Sequence, residues 1–187
     1  YFCSSTLQHQ NMSLPGLEKL LLREQSRANT DMITGIIMSD PRLFNELWEI
    51  MMLNQDPLSR RAAWVVDYCA ESEPGFLNER IELLAASVVD FRSDGLKRHG
   101  LRMLSRSGLP VENLGPLTDA CFKWLQSPNE SVAVKMYSML ILHRVTAIFP
   151  ELARELYDII EIQLHEATPG FINCGRKIMK KLTKTGF

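Results

Sequence analysis

The most chemically suggestive residue in this sequence is a carboxylate at a core-like position. Asp67 aligns, in the chain's internal repeat, with the apolar Leu104 and Ile141. A buried acid costs free energy unless it is paired, and Arg98 and Arg102 are the cations placed to reach it. Trp64 lies one turn earlier. Asp67 is therefore expected to form a structural pair with an arginine. Further cations stand at Arg60, Arg61, Lys97, Lys135, Arg176, Lys177 and Lys180. Gathered on one face, they would hold something acidic, either a protein segment or a phosphate backbone.

Other chemistry finds little support. No nucleophile–base pair and no glycine-rich phosphate loop is present, so no catalytic residue and no cofactor is expected. The four histidines, His9, His99, His143 and His165, have no metal-site spacing. The four cysteines, Cys3, Cys69, Cys121 and Cys174, include no CxxC pair, and free thiols are expected rather than disulfides.

The composition agrees with a folded chain. There are 187 residues, 45% apolar and 23% charged, with a formal net charge of −1. Those proportions exclude wholesale disorder and suit one domain with a sizeable core. No apolar run reaches membrane-span length, and the first residues lack a signal-peptide pattern. The expectation is a cytoplasmic protein with no membrane partner.

The elements that would position these residues are helices. Seven of nine prolines fall where a helix should begin, and no stretch alternates with period two. A shift of 37 residues brings Phe44, Leu47, Trp48 and Met51 onto Ile81, Leu84, Ala85 and Val88, and then onto Thr118, Cys121, Phe122 and Leu125. A second pattern follows each set: Arg61, Ala63 and Val66, then Arg98, Gly100 and Met103, then Lys135, Tyr137 and Leu140. A fourth, slipped copy holds Leu152, Leu156, Ile159 and Ile160, followed by Arg176-Lys177-Ile178. Each copy holds two helices. First helices are expected over 41–53, 75–91, 114–126 and 150–165, and second helices over 57–72, 94–107, 129–148 and 170–183. One long helix over 14–38 would cap the stack. Residues 1–13 are expected to be a disordered extension, with 14–187 forming one repeat domain. Two helices per period of about 37–41 residues is the signature of a stacked solenoid, because one hairpin cannot bury its apolar stripe alone.

Asp56…Arg61, Asp94…Arg98 and Glu130…Lys135 resemble the acidic-then-basic ladder opening the second helix of HEAT repeats. Arg61-Ala62-Ala63-Trp64, Leu96-Lys97-Arg98-His99-Gly100-Leu101-Arg102 and Val132-Ala133-Val134-Lys135-Met136-Tyr137 are similar to a family of short bacterial HEAT-like proteins. The resemblance spans about residues 14–183. It implies an all-α fold, a right-handed α-α superhelix of about four hairpins of the HEAT/ARM-like solenoid kind. Some members of that family carry the label adenylosuccinate lyase. The Ser-Ser-x-Met-Pro-x-Lys loop of that enzyme is absent here.

By layer, the charge is far from neutral. The second-helix segments sum to +8 and the first-helix segments to −9. The resemblance implies that second helices line the concave side, which would make that side a cationic trough. Its expected occupant is a protein partner, with nucleic acid as the alternative. Trp64, Asp67 and the arginines of the next inner helix also resemble the site of HEAT-like alkylpurine DNA glycosylases, so a DNA-repair function is the second reading. Trp48 belongs to the apolar stripe. Trp124 falls one residue off it and is expected to be an exposed anchor.

Overall fold

The architecture, a computed structural model, describes residues 16–165 and 167–185. The expected extension therefore lies outside the described residues, as do residues 14 and 15. Among the described residues ten α-helices form five antiparallel hairpins, and there is no strand. The hairpins are α1 (Leu17–Arg23) with α2 (Arg27–Ser39), α3 (Leu43–Met52) with α4 (Leu58–Ser72), α5 (Ile81–Val88) with α6 (Asp94–Arg106), α7 (Leu114–Gln126) with α8 (Val132–Val145), and α9 (Leu152–Gln163) with α10 (Pro169–Thr185).

Two expected helices are broken, each for a local reason. The long capping helix is a hairpin in its own right. Ser26 caps α2 by accepting from the Asn29 amide at 3.0 Å. The Asn29 side chain then ties α1 down by donating to the carbonyls of Leu20 and Glu24 at 2.9 and 3.1 Å. Capping oxygens of this kind compete with helix continuation. The span 75–91 opens with a short 3-10 turn, Pro74–Leu77, before α5 begins. Phe76 in that turn stacks on Phe44 at 4.1 Å between ring centroids. The Arg80 guanidinium lies over Phe44 and Trp48 while donating to the Phe76 carbonyl. Tertiary packing onto α3 has thus overridden helical propensity.

The second helices α2, α4, α6, α8 and α10 pack side by side along the stack, whereas the first helices approach one another at few points. The second helices therefore form the inner layer. The core runs continuously through all five hairpins, from Leu17 and Ile33 to Ile178 and Leu182. Small residues permit the close approach of inner to outer helices. Ala63, Gly100, Ser138 and Gly175 occupy equivalent buried positions on α4, α6, α8 and α10. A Cβ on Gly100 would lie 3.1 Å from Val88 and Phe91, and one on Gly175 would lie 2.8 Å from Ile160.

These positions also correct the register. Ala63 and Gly100 are 37 residues apart, but Gly100 and Ser138 are 38 apart. The buried residues Leu96, Leu101, Met103 and Leu104 likewise match Val134, Met139, Ile141 and Leu142. Asp67 is thus equivalent to Leu104 and Leu142. Lys135 is in line with Lys97 and Arg60, not with Arg98 and Arg61.

Candidate functional site

Asp67 sits in the middle of α4 with no exposed surface. Its Oδ2 accepts from Arg102 at 2.7 Å and from His99 Nδ1 at 2.8 Å. Its Oδ1 accepts from Arg106, which also donates to the Asp67 backbone carbonyl at 2.6 Å. Arg102 and Arg106 reach on to Glu71, one turn later on α4. Arg98 does not touch the carboxylate; it lies 3.1 Å from His99 Nε2. The Trp64 ring stacks on His99 at 6.2 Å and meets Tyr68 edge-on, and Arg27 of α2 lies 4.7 Å over Tyr68. One network therefore joins three inner helices.

The protonation states follow from these partners. Burial alone would raise the Asp67 pKa, but hydrogen bonds from His99 and Arg102 and the charge of Arg106 hold it below the usual carboxylate value. Desolvation lowers the His99 pKa and outweighs the pull of Asp67 in the other direction. His99 is therefore neutral near pH 7. Its Nδ1–H donates to Asp67 and its Nε2 accepts from Arg98, an assignment made from the partners. Burial would also lower the Arg102 pKa, yet its bonds to Asp67 and Glu71 raise it.

Most cations of the middle hairpins are similarly engaged. Arg60 pairs with Asp56 at 2.8 Å. Arg61 donates to the Leu21 carbonyl at 2.9 Å, not to Asp56. Lys97 pairs with Glu130 at 2.6 Å and lies 5.2 Å over Trp124. Lys135 donates to Gln163 at 3.3 Å. Trp124 is 7% exposed, so the expected exposed anchor is a core residue, and Lys97 covers it. The expected pairing of Arg61, Arg98 and Lys135 with Asp56, Asp94 and Glu130 is absent: Arg60 takes Asp56, Lys97 takes Glu130, and Arg98 lies against His99.

The last inner helix is different. Arg176, Lys177, Lys180, Lys181 and Lys184 are all exposed along α10, and no carboxylate of the described residues pairs with any of them. The cationic surface is thus concentrated on α10 and is not spread evenly along a trough.

Three participants escaped the sequence reading. His99 stands 37 residues after the buried Ala62, which marked it as an inward position. Arg106 and Arg144 form a repeated clamp. Arg106 donates to the carbonyl of Asp67, and Arg144 donates to the carbonyls of Leu104 and Ser105, both at 3.0 Å. Their 38-residue spacing was the available signal.

Among the described residues no group of three or more His, Cys, Asp or Glu could hold a metal ion. None of their helices is long and apolar enough to cross a membrane. A family model described as HEAT repeat domain matches residues 17–182. The chain is a HEAT repeat protein. No curated protein and no solved structure matches it. In this HEAT repeat domain the stacked hairpins form the inner layer that carries both the network around Asp67 and the cations of α10.

Proposed function

We propose that this HEAT repeat domain is a non-enzymatic interaction module that docks an acidic protein partner on its inner face. Repeat stacks offer extended surfaces and need no chemistry to do so. The observation that carries the reading is the run Arg176, Lys177, Lys180, Lys181 and Lys184, exposed and without carboxylate partners on α10. Arg98, also exposed, extends the same layer. Arg60, Arg61, Lys97 and Arg102 support the fold of that face more than they contact the partner. Free thiols at Cys69, Cys121 and Cys174 suit a reducing compartment such as the cytoplasm.

Nucleic acid is the second reading, since a phosphate backbone would use the same α10 cations. The glycosylase form of it is disfavoured, because Asp67 is buried with both oxygens already accepting from His99, Arg102 and Arg106. The test is fluorescence anisotropy with an acidic Glu-rich peptide and, in parallel, a short DNA duplex. Binding of the peptide at low salt, lost with Lys177, Lys180, Lys181 and Lys184 all changed to Gln, is the expected result. Duplex binding with a steep negative salt slope would favour the second reading. No binding of either would remove both.

A further inference from the structure

One groove between successive hairpins is open where the preceding one is closed. Between the third and fourth hairpins, three residues fill the space. Lys97 rises from the start of α6, Trp124 comes from the end of α7, and Glu130 stands in the loop before α8. The Lys97 ammonium lies 5.2 Å over the Trp124 ring and 2.6 Å from Glu130 Oε1. The cation is thus covered by an aromatic face and neutralised by a carboxylate.

The next groove follows the same plan. The Lys97 amide donates to the Ser93 carbonyl, and the Lys135 amide donates to the Ser131 carbonyl, so Lys135 takes the position of Lys97. Leu117, Cys121, Trp124 and Leu125 of α7 recur with identical spacing as Leu156, Ile160 and Gln163 of α9 and its C-cap Leu164. Glu130 precedes Ser131, and Ala167 precedes Thr168, whose carbonyl accepts from the Ile172 amide. In this groove the tryptophan has become Gln163 and the glutamate has become Ala167. What remains is an open cleft of about 820 Å³, lined by Lys135, Gln163 and Ala167 together with Val132, Ile162 and Phe171, and bordered by Glu130, whose charge is taken up by Lys97. Ile162, on its rim, is 74% exposed. Among the described residues the Lys135 ammonium donates only to the Gln163 side chain, at 3.3 Å.

We propose that this cleft is where the acidic partner segment docks, by inserting an aromatic side chain beside Lys135 and setting a neighbouring carboxylate on its ammonium. The partner would then supply the ring and the acid that Trp124 and Glu130 supply one hairpin earlier. The chemistry is a cation–π contact and a charge-assisted hydrogen bond on one lysine, beside the apolar side chains of Val132, Ile162 and Phe171. This inference rests on the interaction-module reading and adds a specificity element to the general attraction of α10.

The test is an amide-resolved NMR titration of the full chain with the capped peptide Gly-Glu-Trp-Gly. Shift changes are expected at Val132, Lys135, Gln163, Ala167 and Phe171, saturating at peptide concentrations below about 5 mM. Replacing the peptide's Trp by Ala, or its Glu by Gln, should each weaken binding several-fold. Lys135→Met should weaken it about tenfold. The double variant Gln163→Trp with Ala167→Glu fills the cleft from within. It should raise the melting temperature and abolish the shifts. No saturating shifts at those residues, unchanged affinity in Lys135→Met, or equal binding by the filled variant would each overturn the proposal. The variant lacking the four α10 lysines separates the two readings. It should keep the cleft titration while losing the longer acidic peptide. Loss of the cleft shifts in that variant would mean that the cleft adds no recognition of its own.

Discussion

His99 Nδ1 lies 2.8 Å from Asp67 Oδ2, across the boundary between two hairpins. An imidazole of α6 thereby orients a carboxylate of α4, and Arg98 occupies the far side of the same ring. With Arg102 and Arg106 also on Asp67, its lone pairs are directed into the protein. A catalytic carboxylate needs a lone pair facing a reactant. This one instead fixes how the second and third hairpins sit against each other.

Removing the acid should therefore destabilise the fold. Asp67→Ala leaves two guanidiniums and an imidazole donor without their shared acceptor, and a loss of about 3 kcal/mol is expected, within the range for breaking a buried ion pair. Asp67→Asn keeps the shape but not the charge and should cost less. Urea unfolding followed by circular dichroism measures both. Wild-type stability in Asp67→Ala would show that the network is incidental.

The same network predicts how stability depends on pH. The folded-state pKa of His99 is lowered from 6.5 chiefly by desolvation. The unfolded chain then takes up the proton first as pH falls, so stability drops below about pH 6.5. His143, lowered by burial and by Lys181, acts in the same direction. The Asp67 pKa, lowered from 3.8 by its donors despite burial, adds a second loss as pH falls below that value. Above pH 7 none of the three groups contributes an appreciable slope. His99→Gln keeps a side-chain amide donor for Asp67 and should flatten the first segment of the curve. A profile in which His99→Gln and wild type run parallel between pH 7 and 5 would contradict this.

Charge removal should separate supporting cations from exposed ones. Lys97→Ala breaks the 2.6 Å bond to Glu130 and uncovers Trp124, so it should cost about 1–2 kcal/mol. Arg102→Ala should behave similarly, through lost bonds to Asp67 and Glu71. Lys180→Ala touches no partner and should stay within about 0.5 kcal/mol of wild type. Its effect belongs in the binding assay. Thermal melts of the three single variants give the comparison directly.

What the sequence made legible was periodic. Hairpins, layers and the core positions of Phe44, Leu47, Trp48 and Met51 follow from apolar spacing, because burial demands it at every repeat. Partner choice does not repeat. Arg98 and Lys97 are adjacent, and a single inserted residue before α8 decides which of them meets Glu130. A carboxylate's partners also depend on the height of the neighbouring helix, which is why Arg102 and Arg106 reach Asp67 while Arg98 meets His99 instead. The break between α1 and α2 hid for a similar reason, since it depends on Asn29 finding carbonyls on the folded-back segment.

The buried thiols should be inert in the native state. Burial pushes Cys69 up to about 11 and Cys121 up to about 12, so almost no thiolate forms near neutrality. Cys174 is half-buried and also raised, although Lys177 and Lys181 pull it back. Alkylation with iodoacetamide, read by peptide mass spectrometry, should modify Cys174 well before Cys69 and Cys121. The two buried sites should react only with added denaturant. Rapid native labelling at Cys121 would mean that α7 and α8 open readily.

The small-residue seam offers the sharpest test of the stack itself. Ala63, Gly100, Ser138 and Gly175 share one register position, and each lies where an inner helix meets its outer partner. Glycine in a helix interior costs about 1 kcal/mol relative to alanine, so Gly100→Ala gains propensity. Its added methyl would stand 3.1 Å from Val88 and Phe91, which are side-chain atoms able to yield slightly. The two effects nearly cancel, and a change within about 1 kcal/mol is expected. At Gly175 the contact is 2.8 Å to Ile160, a fully buried residue with no room to retreat. Strain wins there, and Gly175→Val should cost about 2–3 kcal/mol by forcing α10 away from α9. Because α10 carries the exposed lysines, that variant should also weaken acidic-peptide binding at temperatures well below its melting point. If Gly175→Val melted like wild type and bound the peptide equally well, α10 would not be held against α9 at the distance the seam requires.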